Sequence, residues 1–135
     1  MRVIVMGCGR IGAHIATTLW RHGHQVTVMD TEPESFLLLP QQMVEQDGTT
    51  LVGDGTLEED LHQAGIDEAE VFVAVSVRDS RNALAAQKAK HIFSVSRVVC
   101  RIGDPVRQEM YRGLGMEAVS PTESTSTSIL RAVEF

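Results

Sequence analysis

The chain has 135 residues, 43% hydrophobic and 22% charged; this suits one globular domain with its own core, on a soft prior of about 150 residues per domain, and excludes disorder. Twelve Lys and Arg against 18 Asp and Glu leave a formal net charge of −6, which argues against nucleic acid and anionic lipid surfaces as partners. Apolar runs such as Val71 to Val75 fall far below the roughly 18 residues of a membrane helix, and no secretory signal is legible, so a cytosolic domain without membrane insertion is expected.

The hydrophobic pattern alternates short apolar runs with helix-length segments. Arg2 to Met6 is almost continuously apolar, as in a strand buried on both faces. A glycine loop follows, then Ile11, Ile15, Leu19 and Trp20 at helical spacing, stopped by Gly23. Val26 to Met29 reads as a second strand ending at Asp30. A poorer helix is expected over Glu34 to Glu45, broken or kinked by Pro40. Thr50 to Val52 is a short third strand leading into Gly53-Asp-Gly-Thr56. Thr56 with Glu59 has the spacing of a capping box for a helix to about Ala64.

The alternation then repeats. Val71 to Val75 is the fourth strand, and Asp79 is placed to cap a helix carrying Leu84, Ala85, Ala89 and Ile92. Arg97 to Arg101 is the fifth strand. Asp104-Pro105 puts an acceptor before a proline at the first helical position. That helix ends near Gly113 or Gly115, before a sixth strand at Glu117 to Val119. Six strands alternating with helices predict an α/β, Rossmann-type doubly wound parallel sheet of order 3-2-1-4-5-6, with its crevice where strands 1 and 4 diverge. Residues 1–121 form that domain in this reading. Residues 122–135 form a final helix, capped by Thr122 or Ser124, with a stripe of Ile129, Leu130, Val133 and Phe135. It either docks on a partner or continues into a longer chain.

The sharpest motif is Gly7-Cys-Gly-Arg-Ile-Gly12, after a buried strand and at the start of an amphipathic helix. Gly7 permits the tight turn, Gly9 lets backbone approach a pyrophosphate, and Gly12 lets helix and sheet pack closely. The helix start offers free N–H groups and partial positive charge to phosphates. Asp30, 18 residues beyond Gly12, is placed to bind ribose hydroxyls. Its charge repels a 2′-phosphate, and Thr31 to Ser35 contain no arginine to receive one. NADP is therefore disfavoured against NAD(H) or ADP/ATP. Arg10 opposes the helix dipole unless an anion rests between the guanidinium and the helix end, which makes phosphate its natural partner.

The same crevice is expected to gather Cys8, Ile11, Thr31, Asp54, Gly55, Thr56, Ser76 and Arg101. Asp54 and Gly55 stand on the adenine side; Ser76 and Arg101 end the fourth and fifth strands. Cys8, at a helix start, is a candidate for a lowered thiol pKa; Asn82 is a weaker candidate. Cys8 and Cys100 fall on strands two apart, too far for a disulfide. No catalytic set stands out: Tyr111, the only tyrosine, has no lysine four residues on, and the five histidines lack ligand-like spacing.

Several stretches together identify a family resemblance. These are Val5 to Gly12, Gly23-His24, Asp30, Gly53 to Thr56, Leu61 to Ile66, Val73 to Val75 with Asp79 and Asn82, Arg101 to Pro105, Leu114-Gly115 and Val119 to Pro121. The chain resembles the N-terminal nucleotide-binding domain of regulators of potassium conductance, the Trk- or Ktr-type regulatory subunits. The resemblance implies a non-enzymatic cytoplasmic homodimer, often assembled into a ring at the inner face of the plasma membrane beneath a potassium channel or transporter. Bound NAD(H) or ADP/ATP would change dimer geometry and gate the pore. Arg10 would match the phosphate-contacting arginine and Asp30 the ribose carboxylate. Residues 122–135 would match the helix exchanged between subunits. Thr122 follows Pro121 where some members carry an acid that assists ATP and a metal, so no metal site is carried over. The alternative reading is the cofactor-binding fragment of an NAD-dependent dehydrogenase.

Overall fold

A computed structural model of the chain describes residues 1–133; Phe135, expected in the stripe of the last helix, lies outside them. The strands are β1 (Arg2–Met6), β2 (Gln25–Asp30), β3 (Thr50–Val52), β4 (Val71–Ala74), β5 (Arg97–Arg101) and β6 (Glu117–Val119). They form one parallel sheet in the order β3-β2-β1-β4-β5-β6, the order expected from the alternation. The helices are α1 (Arg10–Arg21), α2 (Gln41–Val44), α3 (Glu58–Gln63), α4 (Asp79–Gln87), α5 (Pro105–Gly113) and α6 (Pro121–Ala132).

The apolar runs divide by parity between two cores. Val3, Val5, Val26, Val28, Val71 and Val73 turn to one face and pack with Ala13 and Ala16 of α1 and with Phe36, Leu39 and Met43. Ile4, Met6, Met29, Phe72, Ala74, Val98 and Cys100 turn to the other, against Leu61 of α3, the alanines of α4 and Tyr111 of α5. Both sheet faces are covered, which is why the strands read as unbroken apolar runs rather than alternating ones. Small residues lie where helices press closest. In α1 the fully covered positions are Gly12, Ala13 and Ala16, while Ile11 is exposed.

Several local expectations are corrected. Residues Pro33–Leu38 form a 3-10 helix and only Gln41–Val44 are α-helical. Pro40 holds Leu39 extended, at ψ 152°, so one helix cannot run through. Thr56 does not cap α3, whose N-cap is Leu57 without a side-chain bond; the Thr56 hydroxyl donates to Asp54 Oδ1 at 2.6 Å instead. Asp79 is the first residue of α4 rather than its cap, and its Oδ2 accepts from the Gly103 N–H at 2.9 Å. Ser120, not Thr122 or Ser124, caps α6, accepting from the Glu123 N–H at 3.2 Å. Asp104 caps α5 as expected, taking the Val106 N–H at 2.9 Å ahead of Pro105. After α4 the chain continues through one π-helical stretch, Lys88–Ile92, carrying the alanine-lined face on to Ala89.

Candidate functional site

The carboxyl ends of β1, β2, β4 and β5 open on a crevice of about 860 Å3 at the switch point of the sheet. Its wall includes Gly7, Gly9, Arg10, Ile11, Asp30, Thr31, Asp54, Gly55, Ser76 and Arg101. Ten residues singled out from the sequence are thus brought to one place. Cys8, Gly12 and Thr56 do not line it; they lie behind the wall. A second hollow, of about 710 Å3, lies toward the amino ends of β1 and β2 and contains none of them.

The glycine loop is built by exclusion. Gly7 has φ +107° and donates its N–H to the Met29 carbonyl at 2.8 Å. A Cβ on it would stand 2.7 Å from the Ser76 nitrogen, so a side chain here would drive β1 and β4 apart. A Cβ on Gly12 would collide with the Gly7 carbonyl oxygen. Gly9 differs, because a Cβ there meets nothing within 4 Å. The N-cap of α1 therefore faces open space, with no side chain among the described residues satisfying the first N–H groups. That opening beside unsatisfied donors suits a phosphate group. Arg10 follows immediately, exposed, with no ion pair or side-chain hydrogen bond among the described residues.

Asp30 closes the end of β2. Its Oδ2 accepts from the Cys8 N–H and its Oδ1 from the Glu32 N–H, both at 2.8 Å. The carboxylate is therefore fixed in orientation, and each oxygen keeps a lone pair for a further donor such as a hydroxyl. Cys8 is wholly buried, with its thiol directed at the Ser35 carbonyl, 3.4 Å away. Burial, reinforced by the Asp30 charge, pushes its pKa up to about 11. The expectation of a lowered pKa fails because the helix-end field is outweighed by desolvation and a neighbouring anion.

The opposite wall is held by Asn82, also wholly buried. Its Oδ1 accepts from the Ser76 N–H (2.9 Å) and hydroxyl (2.7 Å), and its amide donates to the carbonyls of Ser76 (2.9 Å) and Arg101 (3.0 Å). One side chain thus joins the ends of β4 and β5 and positions Ser76. At the third-strand loop, Asp54 accepts from the Thr56 N–H at 2.9 Å and from Arg81 Nη2 at 2.6 Å. Burial alone would raise the Asp54 pKa, but Thr56 and the Arg81 guanidinium outweigh it and hold the carboxyl below its usual value.

Sequence reasoning missed Arg78 and Arg81, which line the crevice from the loop after β4 and the first turn of α4. Their position just past a central strand end was the available signal. With them the crevice carries four arginines against the carboxylates of Asp30, Glu32 and Asp54, a local cationic balance in a chain of net charge −6.

A doubly wound parallel sheet with a glycine loop at the start of α1 and an acid ending β2 defines a Rossmann-type domain. Residues 3–121 match the TrkA-N domain, and the chain belongs to that family. It is 40% identical over 131 residues to the Trk system potassium uptake protein TrkA of Streptomyces coelicolor, covering 97% of this chain and 57% of that protein. The chain therefore spans little more than half the length of that curated relative. Among solved structures it resembles the GsuK channel bound to NAD (25% identity, TM-score 0.79, 98% of this chain and 23% of the other). It also resembles GsuK bound to ADP (27% identity, TM-score 0.73, 96% and 32%). Among the described residues no helix is long and apolar enough to cross a membrane.

Proposed function

We propose that this domain is a cytoplasmic nucleotide sensor that regulates a potassium channel or transporter through the geometry of a homodimer, without catalysing a reaction. The observation that carries the reading is the open N-terminus of α1 beside an Arg10 without a partner among the described residues, with Asp30 fixed at the end of β2. NAD(H), ADP and ATP each supply a phosphate chain joined to an adenosine ribose, the chemistry this pair of sites fits. Loop N–H groups and Arg10 would hold the phosphates, Asp30 the ribose, and Asp54 and Gly55 would border the base. Ile11, Thr31, Ser76 and Arg101 would line the remaining wall, while Cys8, Gly12 and Thr56 would support it from behind. A 2′-phosphate would meet the Asp30 carboxylate, which disfavours NADP.

Kinship with potassium uptake proteins supports the assignment of the pathway, and the NAD- and ADP-bound GsuK structures support the ligand class. A ligand gates only by binding one arrangement of the subunits better than another. Residues 122–135, whose described part up to Ala132 is an exposed helix past the sheet, are the proposed dimer element, and a higher ring assembled from dimers is compatible with it.

Calorimetric titration with NADH, NAD, ADP and ATP tests the binding reading. Arg10→Ala should weaken the bound nucleotide by about 1 to 3 kcal/mol, as expected for loss of charged hydrogen bonds. A folded protein that binds none of the four at millimolar concentration would overturn it.

A further inference from the structure

Asp54 and Arg81 reach each other across the two halves of the sheet. Asp54 stands on the loop after β3, and Arg81 in the first turn of α4, after β4. Both line the crevice, with side chains 27% and 34% exposed. Asp54 Oδ1 accepts three donors: the Thr56 hydroxyl at 2.6 Å, the Thr56 N–H at 2.9 Å and Arg81 Nη2 at 2.6 Å. Its Oδ2 has no partner among the described residues, and no buried side-chain oxygen among them lacks one. Oδ2 is therefore open to solvent as a free acceptor. Arg81 spends one of its N–H donors on Asp54 and keeps others beside that acceptor.

The loop carrying Asp54 is itself fastened. The Asp54 N–H donates to Asp60 Oδ2, and Lys88 Nζ, from beyond α4, donates to the Thr56 carbonyl, both at 2.8 Å. An acceptor and a donor are thus held side by side in a preset orientation. In the nucleotide reading above, with phosphates at the start of α1, the ribose at Asp30 and the base beside Asp54 and Gly55, the base would lie against this pair.

We propose that Arg81, paired with Asp54, is a specificity-determining residue selecting adenine over 6-oxopurines; this rests on the nucleotide reading above, which already sets Asp54 beside the base. Adenine offers an amine donor next to a ring-nitrogen acceptor, the complement of carboxylate oxygen next to guanidinium. Hypoxanthine and guanine put an oxygen where adenine has the amine and a ring N–H where it has the ring-nitrogen acceptor, so the carboxylate would face another acceptor and the Arg81 guanidinium another donor. A site whose fixed polar groups are left unpaired rejects the analogue strongly.

Calorimetric titration of the protein with ADP and with IDP, for the parent chain, Arg81→Ala and Arg81→Lys, tests this. The parent should prefer ADP by about tenfold or more, the equivalent of a hydrogen bond to a charged group. Arg81→Ala should lower that ratio at least about threefold by weakening ADP more than IDP, and Arg81→Lys should restore part of it. A role in stability or general charge alone would weaken both nucleotides alike and leave the ratio unchanged, which overturns the proposal while the nucleotide reading stands. Equal affinity of the parent for ADP and IDP also overturns it. Failure of both to bind the folded parent overturns the nucleotide reading and this proposal with it.

Discussion

At the scale of single residues, the site depends on how each polar group is held as much as on which group it is. Asp30 and Asp54 are both carboxylates ending strands or opening loops, yet Asp30 is oriented by two backbone N–H groups while Asp54 is paired with a cation. The Asp54 pKa lies below its usual value of 3.8 in the folded chain, so the unfolded state takes up a proton first as pH falls. Its stabilising contribution is therefore complete above the unfolded pKa and is lost as pH drops through the folded one. Urea melts should show Asp54→Asn less stable than the parent at pH 6, with the gap narrowing below about pH 4. A gap that widens on acidification would contradict this linkage. Asp54 was legible as a candidate because a glycine-flanked acid followed a strand. Arg81 was not, because its partner lies 27 positions away in sequence and only the packing of α4 beside the β3 loop joins them.

At the scale of elements, helix starts show how local signals compete. Asp104-Pro105 worked as written because acceptor, proline and following N–H are neighbours in the chain. Thr56, Asp79 and the Ser/Thr run after Pro121 carried similar local promise, but tertiary or nearer partners claimed them. Thr56 serves Asp54, Asp79 serves Gly103, and Ser120 reaches Glu123 first. Asn82 makes the larger point: its four bonds fasten α4 to the ends of β4 and β5, which form one wall of the crevice. Asn82→Leu would leave those half-buried backbone and hydroxyl groups without this partner, so a loss of about 2 to 4 kcal/mol in denaturant unfolding is expected. A change below about 0.5 kcal/mol would show that water replaces the amide.

At the scale of the whole molecule, the sheet is sealed on both faces but α6 is not. None of its residues is buried, and Ile129, Leu130 and Val133 are 58%, 46% and 66% exposed. An apolar stripe open to water is favourable only if another surface covers it. In the proposed dimer that cover is a second copy, which makes a clean prediction. Replacing Ile129 and Leu130 together by Asp should shift sedimentation from dimer to monomer. The melting temperature of the monomeric fraction should hardly move, because the stripe contributes nothing to a single subunit's core. A variant that remains dimeric would place the interface elsewhere.

The amino-acid sequence by itself determined the strand count and order, the two-sided burial of the sheet, the glycine loop and the acid ending β2. These rest on short-range periodicity and on backbone geometry that only glycine allows, both written in consecutive residues. Tertiary structure alone decided that Cys8 is an inert buried thiol, that Asn82 fastens one wall, and that Arg78 and Arg81 enter the crevice. Those outcomes depend on desolvation and on hydrogen bonds between segments remote in the chain, which exist only once the sheet has brought its strand ends together.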